Sequence, residues 1–280
     1  MIEQLADPVV GQHPHASASQ RQSAIPQKRQ QRSLPSAVWM LISFAVLIGS
    51  WKLLVEIRDY PPFILPAPEQ VAMRMITEFQ VGTLRHHTTI TLIEAVAGYL
   101  IALTISLVIG YILAHSPRLE RVLAPQIAAT QAIPAVAVAP LIILWVGADL
   151  QARILVATLV TFFPILSSTI VALRSVPREL TEMARISGAT WWQVLRHVEF
   201  PLALPGIFGG VKAGLALATT GAVVGEFVGG RDGLGALINI ARGLFDTPLM
   251  FAALGVLALL TLGFYLIANL LERLLVRWEV

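Results

Sequence analysis

The chain has no cysteine, so a disulfide framework, a thiolate metal site and a cysteine nucleophile are all excluded. It is also poor in charge. Asp, Glu, Lys and Arg make up 13% of the 280 residues, where an ordinary soluble domain carries about 25%. Lysine is the scarcest charged type, present only at 28, 52 and 212, and none of the three follows a glycine. There is therefore no G-x-x-x-x-G-K-[ST] phosphate cradle, and this chain does not hydrolyse ATP through a P-loop. The H-E-x-x-H metal motif and the G-x-S-x-G nucleophile elbow are missing as well. The net charge of +3 does not point to nucleic acid, because the basic residues are scattered between apolar runs and form no patch.

What remains is hydrophobic: 56% of the residues, with a mean hydropathy of +0.72. Such a chain belongs in a membrane. Residues 1–35 are rich in Gln, Ser, Pro and His, lack apolar periodicity, and read as a disordered tail. His13 and His15 in that tail read as inert. The domain of residues 36–280 is expected to be all-α, with about six membrane-spanning helices near 37–56, 88–114, 122–147, 151–173, 202–226 and 248–272. The first follows a basic segment, as a signal peptide would. Its length and the lack of an A-x-A-like site make it a retained anchor. With the N-terminus inside, twelve Lys and Arg flank the inner ends of these spans and six the outer ends. That bias places both termini in the cytoplasm.

Pro134 and Pro140 in the third span and Pro164 in the fourth each remove a backbone donor and can kink a helix. Thr130, Gln131, Ser167 and Ser168 are polar residues on these same spans, suited to a solute pathway or to bonds between helices. The fifth span carries small residues at Gly206, Gly210, Gly214, Ala218, Gly221, Gly225 and Gly229, a stripe along which a neighbouring helix can approach closely. Lys212 is read as the one midplane charge, a candidate for the pathway or for a structural pair. Glu226 is read as an interfacial carboxylate near the outer end and a candidate gate. His86 and His87 are adjacent and so point apart on a helix. No metal site is expected.

The apolar pattern breaks once at length, at TEMARISGATWWQVLRHVEFP, residues 181–201. The orientation places this stretch in the cytoplasm. Pro177 sits where a helix starts, Gly188 where one ends, and Thr190 with Gln193 forms a capping box for a second helix. Pro201 marks the expected start of the fifth span. The stretch from about 175 to 201 is therefore a helix, a glycine turn and an amphipathic helix. By physics alone it can lie on the membrane, cap its own helices or dock a partner.

Glu182-Met183-Ala184, Gly188 and Val198-Glu199-Phe200-Pro201 resemble the E-A-A-x3-G-x9-I-x-L-P loop of ATP-binding-cassette importer permeases, with apolar replacements at 183, 198 and 200. The similarity extends over about residues 60–275. Phe63-Ile64-Leu65-Pro66-Ala67-Pro68 and Val138-Ala139-Pro140-Leu141 resemble the nitrate/sulfonate/taurine group. Gly221 to Val228 and Phe245-Asp246-Thr247-Pro248 look most like its riboflavin and thiamine-precursor branch. The resemblance implies a type I importer fold in a bacterial inner membrane. It implies a second permease copy, forming a homodimer, and an extracytoplasmic binding protein. It also implies ATPase subunits that hold the ATP, so that this chain carries no cofactor and is no enzyme. Coupling to the ATPase then falls to Glu182, Ala184, Arg185, Gly188 and Pro201. The implied solute is riboflavin or a related heteroaromatic precursor, with taurine, alkanesulfonate or nitrate as the alternative. An ion-coupled secondary carrier is the competing class.

Overall fold

A computed structural model describes residues 36–276. The predicted tail at 1–35, with His13 and His15, lies outside the described residues. Two compact units divide the chain, Met1–Val46 and Leu47–Val280, and of the first only the opening of helix α1 (Ser36–Arg58) is described.

All regular structure in the described residues is helical. After α1 come α2 (Pro68–Val81), α3 (Thr83–His115), α4 (Pro117–Ala132), α5 (Ala135–Val146), α6 (Leu150–Arg174), α7 (Arg178–Ile186), α8 (Trp191–Val194), α9 (Phe200–Gly229), α10 (Leu234–Gly243) and α11 (Thr247–Leu275). Among the described residues, α3, α6, the run Trp191–Gly229 and α11 are long and apolar enough to cross a membrane. The first predicted span falls on α1.

The third predicted span is not one helix. It is the pair α4 and α5, bent by 94°. Pro134 offers no N–H to continue the helix, and a residue before proline is driven out of the helical region; Ile133 accordingly sits at φ −85°, ψ 120°. Pro125, Pro140, Pro164 and Pro205 each lie within a helix that continues through them.

The fifth span begins earlier than Pro201 suggests. Trp191–Gly229 is one helical run, because Leu195–Glu199 forms a π turn that joins α8 to α9. The N–H of Phe200 reaches back to the carbonyl of Leu195, five residues away. A proline ring clashes with the carbonyl four residues before it. The widened turn accommodates Pro201 without ending the helix.

Helices α3, α6 and α9 form the packed centre. In lipid there is no hydrophobic drive between apolar helices, so close van der Waals contact must hold them. The glycine stripe of α9 supplies it: Gly206 to Gly225 face α6 in antiparallel register, and Gly229 meets Ile143 of α5. A Cβ built on Gly210 would lie 2.5 Å from Ser168 Cβ, and one on Gly221 2.8 Å from Ala157 Cα. Helix α3 also packs on α6, running parallel to it, and a Cβ on Gly98 would lie 2.6 Å from Ala157 Cβ. Ala95, Ala102, Ala157, Ala218 and Ala222 complete this small-residue core, with Tyr99, Ile165 and Phe264 filling it. A separate cluster of Leu84, Leu234, Leu237, Ile238, Leu249 and Ala252 seats α10 on α11 and on the start of α3. The ends of the packed centre thus differ: the α7–α8 hairpin adjoins one, and α2 and α10 lie at the other.

Candidate functional site

The first helix, the glycine turn and the Thr190 cap form where the sequence places them, while the second helix is the start of the Trp191–Gly229 run and not a separate element. Pro177 is the N-cap of α7, with Glu179 in the positive first turn. The helix closes in a Schellman arrangement, with Ala189 N donating to Ala184 O at 3.0 Å and Gly188 N to Arg185 O at 3.0 Å. Gly188 has φ +85°, and nothing lies within 4 Å of the position a Cβ would occupy there. The next helix is capped reciprocally. Gln193 N donates to Thr190 Oγ1 at 3.4 Å, and Thr190 N donates to Gln193 Oε1 at 2.8 Å. The tip is thus a rigid turn with open space around it.

Two anchors tie the hairpin to the bundle. Trp191 Nε1 donates to the Tyr111 hydroxyl on α3 at 2.7 Å, and His115 Nε2 lies 3.2 Å from Glu199 Oε1. Beside them, Arg174 pairs with Glu120 at 2.5 Å, linking α6 to α4. On the outer face of the hairpin, by contrast, Met183, Ile186 and Trp192 are exposed, Ile186 to 87%. Glu182 and Arg185 are exposed too and line a cleft of about 880 Å³ with Arg121, Arg174, Arg178 and Glu199. Ala184 and Pro201 are half-buried and serve the turn and the π junction.

The polar residues expected along a pathway do not gather at one place. Thr130 and Gln131 line a cavity of about 470 Å³ at the α4–α5 bend, with Pro134, Val138, Phe163 and Pro164. Irregular backbone at membrane depth is tolerated only where it is buried or lines such a cavity. Ser168 is in the α6–α9 seam under Gly210, while Ser167 is exposed. Lys212 forms an ion pair with Glu272 of α11, both side chains about a quarter exposed.

Glu226 is where the structure departs most from expectation. It lies near the end of α9, as expected, but it is fully buried within the protein. Thr91 Oγ1 donates to its Oε1 at 2.6 Å, and Gly235 N to its Oε2 at 2.6 Å. A second carboxylate, Glu94 of α3, is equally buried beside it, and Arg153 Nη1 lies 2.7 Å from Glu94 Oε1. Lys212 is thus not the one buried-span charge. The sequence did carry the signal. Glu94 stands within the apolar run TLIEAVAG and Arg153 within QARILV, and an ionisable residue in such a run is a functional suspect.

The described residues thus form a bundle of close-packed helices of spanning length, with a broken span beside a cavity and a hairpin whose apolar residues are exposed. The chain matches the family described as binding-protein-dependent transport system inner membrane component over residues 103–278, and it belongs to that family. Its fold is that of the type I ATP-binding-cassette importer permease. A chain of the MetNI methionine ABC transporter in an inward-facing conformation superposes with a TM-score of 0.59 at 25% identity, covering 68% of this chain and 94% of that one. The riboflavin transport system permease protein RibX of Chloroflexus aurantiacus is 58% identical over 252 residues, 89% of this chain and 94% of the relative. The putative aliphatic sulfonates transport permease protein SsuC of Bacillus subtilis is 33% identical over 86% of this chain and 88% of its own. Family membership decides for an importer permease that works with ATPase and binding-protein partners in the bacterial inner membrane, and against an ion-coupled carrier.

Proposed function

We propose that this chain is the permease subunit of a riboflavin importer. The observation that carries the reading is the 58% identity to a riboflavin permease across nearly the whole of both chains, against 33% to a sulfonate permease. Two copies form the pathway as a homodimer. Both termini and the hairpin face the cytoplasm, as the bias of Lys and Arg favours. ATP is bound and hydrolysed by a separate ATPase subunit, and this chain holds no cofactor of its own.

The hairpin inserts into the ATPase. Its glycine tip gives a compact end, Met183, Ile186 and Trp192 offer apolar area, and Glu182 and Arg185 offer charge-assisted bonds. ATPase closure then moves α9 with the hairpin, since the hairpin's second arm and the span are one helical run, Trp191–Gly229. Solute passes the α4–α5 bend, where Thr130 and Gln131 present hydrogen-bonding groups to an otherwise apolar cavity. The test is reconstitution of the permease, its ATPase and its binding protein in proteoliposomes. Uptake of labelled riboflavin should need all three proteins and stop with vanadate. Uptake of taurine or an alkanesulfonate in place of riboflavin would overturn the substrate, and uptake without ATP would overturn the mechanism.

A further inference from the structure

At the far end of α9 from the hairpin, the turn 230–233 and the first residues of α10 are held almost wholly by side chains. A helix start leaves backbone N–H groups without partners inside the helix. Here they are met from other helices: Gly233 N by His87 Nδ1 at 3.0 Å, Leu234 N by Thr91 Oγ1 at 2.8 Å and Gly235 N by Glu226 Oε2 at 2.6 Å. From α6, Arg153 Nη1 donates to the carbonyl of Asp232 at 2.9 Å. Glu226 is the centre of this arrangement. A Cβ on Gly233 would lie 2.2 Å from its Cδ, and one on Gly235 2.8 Å from its Oε2, so glycine at both positions lets the backbone fold around the carboxylate.

Burying two carboxylates against one guanidinium is costly, since removing charge from water is repaid only when geometry and hydrogen bonds are good. A cheaper apolar seat was available, because α10 already rests on α11 through Leu234, Leu237 and Ile238. The cluster adds a directional tie to α3, α6 and α9 that apolar packing does not give. Glu226 also lies three residues before the end of a helical run of 39 residues, Trp191–Gly229, whose other end is the second arm of the hairpin. At 1.5 Å per residue that rod spans roughly 58 Å.

We propose that Glu226 is a positioning residue for transport, a clasp that makes the 230–235 turn and α10 travel with α9, α3 and α6 when the ATPase drives the bundle outward. The hairpin receives the stroke, the rod conveys it, and the clasp delivers it to the segment at the opposite end of the pathway. This rests on the importer reading above.

The test uses the complete transporter, permease with ATPase and binding protein, in proteoliposomes. In Glu226→Ala, ATPase activity without the binding protein should stay within about twofold of the parent. Stimulation by loaded binding protein and riboflavin uptake should each fall about tenfold or more. Glu226→Gln keeps an acceptor for Gly235 N and should recover most of the uptake. A second arm exploits the absence of cysteine. His86 and Asp232 are in contact at 3.1 Å between α3 and the turn, and His86→Cys with Asp232→Cys can be bridged by a short thiosulfonate cross-linker. The bridge should form equally in nucleotide-free and vanadate-trapped transporter and leave uptake intact, because the joined segments move together. Uptake by Glu226→Ala equal to the parent, or loss of transport on bridging, would overturn the clasp. If Glu226→Ala lowers the amount in the membrane, the Gln variant and the bridge decide. Failure of the parent itself to take up riboflavin with ATP would overturn the importer reading instead.

Discussion

Substitutions at Gly188 separate the cost of the turn from the cost of the contact it makes. The residue stands at φ +85° with nothing within 4 Å of its missing Cβ. Alanine and tryptophan each pay about 1–2 kcal/mol for the left-handed backbone. No neighbour in the chain adds to that figure. One or two kcal/mol corresponds to about a 5- to 30-fold change in the local equilibrium. The bonds at risk are two, Ala189 N to Ala184 O and Gly188 N to Arg185 O, both remote from the α3–α6–α9 core. Gly188→Ala and Gly188→Trp should therefore insert alike and melt within about 2 °C of each other in detergent. They should differ in docking. The alanine variant should retain at least about a tenth of parental uptake, while the tryptophan variant, with a bulky ring on the tip, should fall below about one-hundredth and lose the ATPase in co-purification. Gly188→Asn, which tolerates the left-handed region, serves as the polar control and should lie between the two. Equal transport by the alanine and tryptophan variants would refute the argument, because the tip would then meet nothing.

Three further outcomes follow from the geometry. Gly221→Leu drives a side chain against Ala157 Cα and should destabilise the seam by about 1–3 kcal/mol, read as a lower thermal midpoint; Gly209→Ala, with nothing within 4 Å, should not lower it. Lys212→Met removes an ion pair with Glu272 whose side chains are only about a quarter exposed and leaves that carboxylate unpaired, so it should lower the thermal midpoint with uptake per folded transporter unchanged, whereas a marked fall in that uptake would put Lys212 on the pathway. Trp191→Phe and Tyr111→Phe each break one hydrogen bond of about 1 kcal/mol, and a double-mutant cycle should show that the second change adds little to the first.

The hairpin was legible because its determinants are local. Thr190 and Gln193 are three residues apart, and Gly188 needs only its own backbone angle to end a helix. The same locality explains the error at Pro201. A proline can start a helix or sit within a widened turn, and the choice depends on how α9 continues, which no short window contains. The bend at Pro134 was half legible. Proline announces a possible kink, but whether a kink becomes a 94° break depends on what packs against it, and Pro140 and Pro164 lie in helices that do not break.

The glycine stripe gave the seam but not its partner; that α9 lies along α6 follows only from the packed helices. The buried clasp was not legible at all as a unit. Thr91 and Glu226 are 135 residues apart; Glu226 alone reads as a candidate gate, and Thr91 as an ordinary polar residue on an apolar helix. Composition, period-3.6 apolar runs and capping chemistry thus determined a helical membrane protein with a rigid hairpin, because those properties are settled within a few turns of chain. Tertiary structure alone decided which carboxylates are buried and what they hold. A charge can leave water only when partners from several helices arrive together, and that assembly is written in no single stretch of sequence.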